Sequence, residues 1–343
     1  MERITITLET ITPLFLYGAN SRAAPELRSP PFRGLMRYWF RALAGGVVGD
    51  RALNIIHEKE SSVFGSADDR YGQSSVWVRL STPKFINKKH PLLPHKNRAR
   101  FSAIPPGTAF TLTITLKPEA DINKLEMAIW SLLVGLTLGG IGKRSRRGFG
   151  SLRIQTVNEK PDGLEDSLLQ QLSEAEQLAA NGKELAQRIG DLITAARKAF
   201  GIFLDNPTPM FNDPPLFSIL RPDTHIAVWT RKDGLPEAYD ESILAPLMSK
   251  LSAKMAELEK NGKGHFAEAF GGINIKLPGL RDTFRRASPL WVSTHRLQNN
   301  KWALVLTHLK AQYLPRRAGS QHHLVTEFLN SPPDGWSKTE VSL

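Results

Sequence analysis

The N-terminal forty residues alternate and then change period. Ile4–Leu8 (ITITL) sets apolar side chains at every second position with Thr between them, which predicts a strand with one buried face. A loop follows through Thr12-Pro13 and Gly18-Ala19-Asn20-Ser21. Ser29 is then placed to cap a helix whose first turn accepts Pro30 and Pro31. Phe32, Leu35, Met36, Trp39 and Leu43 fall on one side of that helix, and Gly45-Gly46 predicts its end near Leu43. Alternation returns at Ser75–Leu80 and Ala109–Leu116. The basic, proline-containing stretch between them, Lys84–Arg100, predicts a long loop. Asp121 can cap a second long helix over Ile122–Leu138, a glycine-rich loop spans Gly139–Gly150, and Ser151–Val157 closes as a strand.

The order β-α-β-β-α-β is the ferredoxin-like split βαβ plan, a four-stranded antiparallel sheet with two helices on one face. Residues 158–198 are polar and helix-prone, and the proline-rich Asn206–Pro215 marks a junction. Strand patterns then appear at Phe217–Arg221 and Ile226–Thr230, and a long helix at about Glu241–Lys260. A basic loop runs from Phe270-Gly271-Gly272 through Arg286, before strands near Leu290–Ser293 and Lys301–Leu309. No repeat is visible by residue identity, yet the pattern predicts a second, degenerate copy of the plan. The expectation is an α+β protein of two ferredoxin-like (split βαβ, RRM-like) domains packed together. Residues 1–157 would form a basic domain, and residues 158–343 a second with extra helices.

Composition narrows the chemistry. The chain has no cysteine, which excludes disulfides, thiolate zinc sites, iron–sulfur clusters and cysteine nucleophiles. No apolar run reaches the roughly 18–20 residues of a membrane helix, and the alternating N-terminus is unlike a signal peptide. A soluble, cytoplasmic protein without a membrane partner is expected. The net charge is +12, and its placement matters more than its size. Residues 1–157 hold 23 Lys and Arg against 11 Asp and Glu, whereas residues 158–343 hold 22 of each. Residues 70–118 and 127–158 contain no acid. Such an unbalanced basic half predicts a polyanionic partner, because each cation that neutralises a phosphate releases counterions.

Two constellations could carry that contact. Arg33, Arg37 and Arg41 stand at i, i+4, i+8, which puts three guanidinium groups on one helical stripe, with no acid at helical spacing to pair them. Arginine suits bidentate phosphate contact, although a solvated helix face would look the same. The second constellation is the loop Gly139–Gly150, in which Gly140, Gly142, Gly148 and Gly150 surround Lys143, Arg144, Arg146 and Arg147. Glycines there would let backbone N–H groups approach phosphates. A simple helix-to-strand turn is the alternative. The loop is not a Walker A motif, since Thr137 stands at the first Gly position and Arg144 where Ser/Thr would bind magnesium. Arg147-Gly148-Phe149-Gly150 also matches the start of the RRM stacking motif, so Phe149 is either a base platform or a core residue. The histidines are scattered without a metal-ligand pattern. His57, after the first helix, is the one to consider as a general base.

These residues resemble a known family. Thr12–Phe15, Phe32–Leu43 and Phe64-Gly65-Ser66, with the spacing Gly140-x-Gly142-x5-Gly148-x-Gly150, are similar to the N-terminal half of RAMP proteins of type III CRISPR systems. Arg285-Arg286-Ala287-Ser288-Pro289-Leu290 resembles a motif in the second half of the first-numbered subunit family of the type III-B Cmr effector complex. The resemblance implies an RNA-binding, non-catalytic subunit of an antiviral ribonucleoprotein. That subunit would hold single-stranded guide RNA, target RNA or both near the guide 3′ end, next to other Cmr subunits and without a cofactor. Arg285 and Arg286 join the candidate RNA contacts on this basis. In this superfamily a different subunit cuts the target with a loop aspartate, whereas the loop after the first strand here offers Asn20 and no Asp before Asp50. A metal-independent endoribonuclease using a histidine general base, which would process repeat RNA, is the alternative.

Overall fold

The structure is a computed structural model. It describes the chain except residues 21–22, 82, 97, 206–207, 233–235, 261–268, 272–273, 277–282, 286 and 313–320. The first half runs β1 (Arg3–Thr10), α1 (Pro30–Val48), α2 (Leu53–Phe64), β2 (Val76–Leu80), β3 (Lys88–Leu93), β4 (Arg98–Ala103), β5 (Ala109–Leu116), α3 (Ile122–Leu138) and β6 (Leu152–Asn158). Two helices follow, α4 (Asp166–Ala175) and α5 (Gly182–Phe203). The second half runs β7 (His225–Arg231), α6 (Ala245–Lys260), β8 (Asn274–Lys276), β9 (Thr283–Arg285), β10 (Leu290–Arg296), β11 (Trp302–His308), α7 (His322–Asn330) and β12 (Trp336–Glu340).

The first sheet has the order β2-β5-β1-β6 and the second β10-β11-β7-β12, with every neighbouring pair antiparallel. Numbered along each βαββαβ unit, both orders read 2-3-1-4, the ferredoxin-like arrangement. The second copy is therefore complete in topology. Its closing pieces, α7 and β12, carry no sequence signal as strong as those of the first copy.

The layers follow from alternation. Ile4, Ile6 and Leu8 of β1 and Phe110, Leu112 and Ile114 of β5 point to one face and are buried against α1 and α3. The intervening threonines leave the other face half-exposed. In the second sheet both faces are buried. Ala227, Trp229, Leu290, Val292, Leu304 and Leu306 pack with α6 and α7. Ile226, Val228, Trp291, Ala303 and Val305 point the other way, into the core cluster that also holds α1, α3 and α5. The helices of the first unit are thus sandwiched between two sheets, and α4 and α5 bury their apolar stripes in the same cluster.

Several predicted elements change. α1 continues through Gly45 and Gly46 to Val48, because these glycines admit the second half: a Cβ at Gly46 would lie 2.0 Å from the Leu220 carbonyl oxygen. Phe217–Arg221 forms no strand, since it is spent against α1, with Leu220 N–H donating to the Ala42 carbonyl at 2.8 Å. The predicted loop Lys84–Arg100 contains most of a β-hairpin, β3–β4, paired from Lys88↔Ala103 to Leu93↔Arg98. Asp121 caps α3 as predicted, accepting from Asn123 N–H at 2.9 Å. Asp50 is fully buried. It accepts from the Asn212 and Leu216 amides and from the Asn212 side chain at 2.7–2.8 Å. Burial pushes its pKa up, but these bonds outweigh that and hold it below the usual carboxylate range. Asp50 therefore clamps the proline-rich junction.

Candidate nucleic-acid interface

The glycine-rich loop leaves α3 and crosses the seam between the two units. Its glycines are set by close backbone crossings. Gly142, Gly148 and Gly150 have φ of +84°, +83° and +64°, and a Cβ at Gly150 would stand 1.9 Å from the Ile141 carbonyl oxygen. Several loop amides are already bonded to protein. Lys143 N–H donates to the Phe15 carbonyl at 2.8 Å, Gly148 N–H to Val292 at 3.1 Å and Gly150 N–H to Pro13 at 3.1 Å. The Gly148 carbonyl accepts hydroxyls from Thr12, Ser151 and Thr294. Gly140, Gly148 and Gly150 are buried, so they shape the loop rather than cradle a phosphate.

The four cations of the loop divide into two pairs. Arg146 donates to the Ser288 carbonyl and lies 4.3 Å from the Trp291 ring centre and 5.5 Å from that of Tyr38. Arg147 donates to Ser288 Oγ at 2.9 Å and to the Leu290 carbonyl at 3.3 Å. Desolvation, with Arg144 and Arg146 nearby, pushes its pKa down to about 10. These two arginines tie the loop to β10. Lys143 is exposed, with its ammonium 4.9 Å from the centre of the Phe101 ring on β4, and Arg144 is half-buried in a left-handed conformation.

Phe149 is not a base platform. It is fully buried, edge-on to Phe15 at 5.3 Å, in the core between the second sheet and α6. The RRM likeness fails because the ring points beneath the loop rather than out of a sheet.

The arginine stripe is also partly spent. Its acid partner comes from a second helix, which helical spacing could not reveal. Glu60 on α2 is buried, with Oε1 2.7 Å from Arg37 Nε and Oε2 3.9 Å from Arg41 Nε. Arg37 also donates to the Gly65 carbonyl at 2.9 Å. Arg33 is half-buried and lines a shallow pocket with Trp77 and Gln73, and its backbone N–H donates to the Ser29 carbonyl at 3.2 Å. Arg285 lies on β9, its side chain outside the described residues, and Arg286 is outside them altogether. His57 is exposed and meets Tyr71 edge-on at 5.6 Å.

What the structure brings together is a cleft of about 600 Å³. One wall is the loop from Lys143 to Arg147, the second is the β3–β4 turn with Leu92, His95 and Lys96, and the third is α6 with Met248, Leu251, Ser252 and Met255. No carboxylate is among the described residues that line it. Burial, then the charges of Lys96 and Arg144, hold His95 below the ordinary histidine pKa. Glu241 fastens the hairpin from outside the cleft, 3.3 Å from Arg100 and 3.6 Å from His90. The acid-free run around Lys96 was the sequence signal for this wall. The α6 wall carried none beyond amphipathic spacing.

Comparisons with known proteins agree with this architecture. The family model of the RAMP superfamily matches residues 7–153. CRISPR system Cmr subunit Cmr1-1 of Pyrococcus furiosus is 28% identical over 322 residues, covering 90% of this chain and 88% of that protein. Cmr subunit Cmr1-2 of the same organism is 32% identical over 184 residues, covering 44% of this chain and 95% of that protein. A chain in the cryo-EM structure of the type III-B Cmr-beta bound to cognate target RNA shares the fold, with a TM-score of 0.68, 15% identity and coverage of 96% and 98% of the two chains. The two-sheet fold, the glycine loop at its seam and an identity that runs through both halves lead to one conclusion: the chain belongs to the RAMP superfamily, among the Cmr1 subunits of CRISPR systems.

Proposed function

We propose that this protein is a non-catalytic subunit of a type III-B CRISPR ribonucleoprotein that binds single-stranded guide or target RNA along the cleft between its two units. The observation that carries this reading is the cleft itself, with Lys96, Lys143 and Arg144 on its rim and no described carboxylate in its lining. An anion entering it meets the exposed ammonium groups of Lys96 and Lys143, and phosphate contact with them displaces counterions. The reading includes the division into a basic unit, 1–157, and a second unit, 158–343. It also includes neighbouring Cmr subunits as partners, a position near the guide 3′ end and a cytoplasmic setting. The similarity to Cmr1-1 and the likeness to a chain of a target-RNA complex support the assembly. The absence of a nuclease role is supported by the use of Asp50 as a clamp and by the enclosed ring of His95.

The test replaces Lys96, Lys143 and Arg144 by Ala in the full chain and measures single-stranded RNA binding against salt. If all three touch phosphate, the log–log slope flattens by about 2, since each single-strand contact contributes about 0.7. An unchanged slope overturns the cleft as the RNA path. RNA recovered intact after incubation in EDTA supports the binding role, and RNA cut there by the purified protein overturns it.

A further inference from the structure

We infer that the outer edge of β2 accepts an extended segment of another protein subunit as a fifth strand of the first sheet; this rests on the assembly reading above and not on the RNA path. In an antiparallel pair, alternate residues turn both backbone groups away from the partner strand. Lys117 N–H donates to the Ser75 carbonyl at 2.8 Å and Ser81 N–H to the Thr111 carbonyl at 3.0 Å. That register points Trp77 and Arg79 at β5 and turns Val76, Val78 and Leu80 outward. The Ser74 hydroxyl takes up Val76. The outward backbone groups of Val78 and Leu80 bond to none of the described residues.

The other sheet edges are closed or guarded. On β6, Glu176 accepts the Val157 amide. On β10, Gly148 N–H reaches the Val292 carbonyl and Ser151 Oγ accepts the Thr294 amide. β12 sets Lys338 and Glu340 at outward positions, and their side chains pair at 2.7 Å, the charged residues that discourage edge pairing. β2 carries apolar residues there instead. Val78 and Leu80 are only half-buried against the first core, so apolar residues on an added strand would finish covering them. Charge selects the partner. β2 lies in the acid-free run 70–118, and Arg79 and Lys84 are exposed. A second copy would bring these cations against themselves. An RNA strand would neutralise them but has no alternating row of donors and acceptors at strand spacing. The occupant is therefore a protein segment with apolar residues at alternate positions and a carboxylate opposite Arg79.

The experiment follows amide hydrogen exchange in the full chain, alone and reconstituted with the other subunits of its CRISPR complex. The Val78 and Leu80 amides are expected to slow by about 10-fold or more on assembly, while those of Trp77 and Arg79, already bonded to β5, change less. Arg79→Glu, at an exposed position, should weaken retention of the chain in the complex by about 10-fold with an unchanged melting temperature. Unchanged exchange at Val78 and Leu80 in a complex that does form overturns the edge site, and so does normal retention of Arg79→Glu. Weaker RNA binding by the isolated Arg79→Glu chain, with normal retention, gives the edge to RNA and overturns it as well. If the wild-type chain joins no complex, the assembly reading falls and the edge site with it.

Discussion

The two sheets share a strand order and differ in what covers them. In the first, the face turned away from its own helices is lined by Thr5, Thr7, Thr111 and Thr113 and is half-exposed. In the second, the corresponding face carries Ile226, Val228, Ala303 and Val305 and is sealed against α1, α3 and α5. One topology thus serves as an outer wall in one copy and as the centre of the molecule in the other. The lesson concerns function as well as packing. A sheet that holds the two units together has no face left for stacking bases, so the proposed RNA path runs along the loops at the seam. The glycine loop, the β3–β4 turn and α6 meet there.

Trp291 joins the second sheet directly to α1. It is 5% exposed, lies 5.3 Å from Trp39 and 4.9 Å from Tyr38 between ring centres, and donates Nε1–H to Tyr38 Oη at 3.1 Å. Trp291→Ala is expected to lower stability by about 4–5 kcal/mol, read from the denaturant midpoint. A loss below ~1 kcal/mol would mean that the second sheet is not anchored on the helices of the first. Phe149→Ala comes next, at about 3 kcal/mol, because it opens a cavity beside Phe15 in the other core. RNA affinity, measured where the variant remains folded, should not change. Lost affinity with an unchanged melting temperature would return Phe149 to the RNA surface.

Much of this was legible in the chain because it is local. The Asp121 cap, the alternation of β1 and β5 and the acid-free basic run each lie within one window. What was not legible depends on residues far apart. Nothing near Gly46 shows that Leu220 will pack on it, and nothing near Arg37 shows that Glu60 on α2 will pair with it. The glycine loop shows the same limit more sharply. Its glycines and cations were visible, but local sequence could not show that Pro13, Phe15 and Val292 would take its amides, or that Arg146 and Arg147 would fasten it to β10. α7 was missed because it is short and no side chain caps its start.

A polar group on the sealed face sharpens the comparison through pH. The ring of His295 bonds the Thr137 carbonyl through Nε2 at 2.8 Å. Desolvation lowers its pKa, and that bond only partly opposes the shift. The folded protein therefore resists a proton that the unfolded chain binds near pH 6.5. The stability this contributes is complete above that pH and is lost as pH falls below it, at up to about 1.4 kcal/mol per unit. His90, His95 and His225 are lowered in the same sense, so the whole protein should be acid-labile. His295→Gln should remove one group's share of the slope in a urea series between pH 7 and 5. An unchanged slope would mean that His295 is solvated in the folded state.

The smallest effects test the comparison most directly. Thr5↔Thr113 and Val228↔Val305 are central pairs of the two sheets, each on the face turned away from the sheet's own helices. Exchanging the two residue types changes almost no volume, so the effect reports what covers each face. Val305→Thr puts a hydroxyl at a fully buried position among apolar neighbours and should cost about 1–2 kcal/mol. Thr113→Val loses a hydroxyl contact to Thr5 at 3.2 Å on a half-exposed face. The β-branched replacement offsets that loss, so stability should stay within about 0.5 kcal/mol. Chemical denaturation of the two variants side by side checks the asymmetry. Equal costs would mean that the sealed face is wetter than its packing implies. Repeating Thr113→Val in the assembled complex tests whether a neighbouring subunit covers the threonine face, because such a cover shows in subunit retention and not in the stability of the isolated chain.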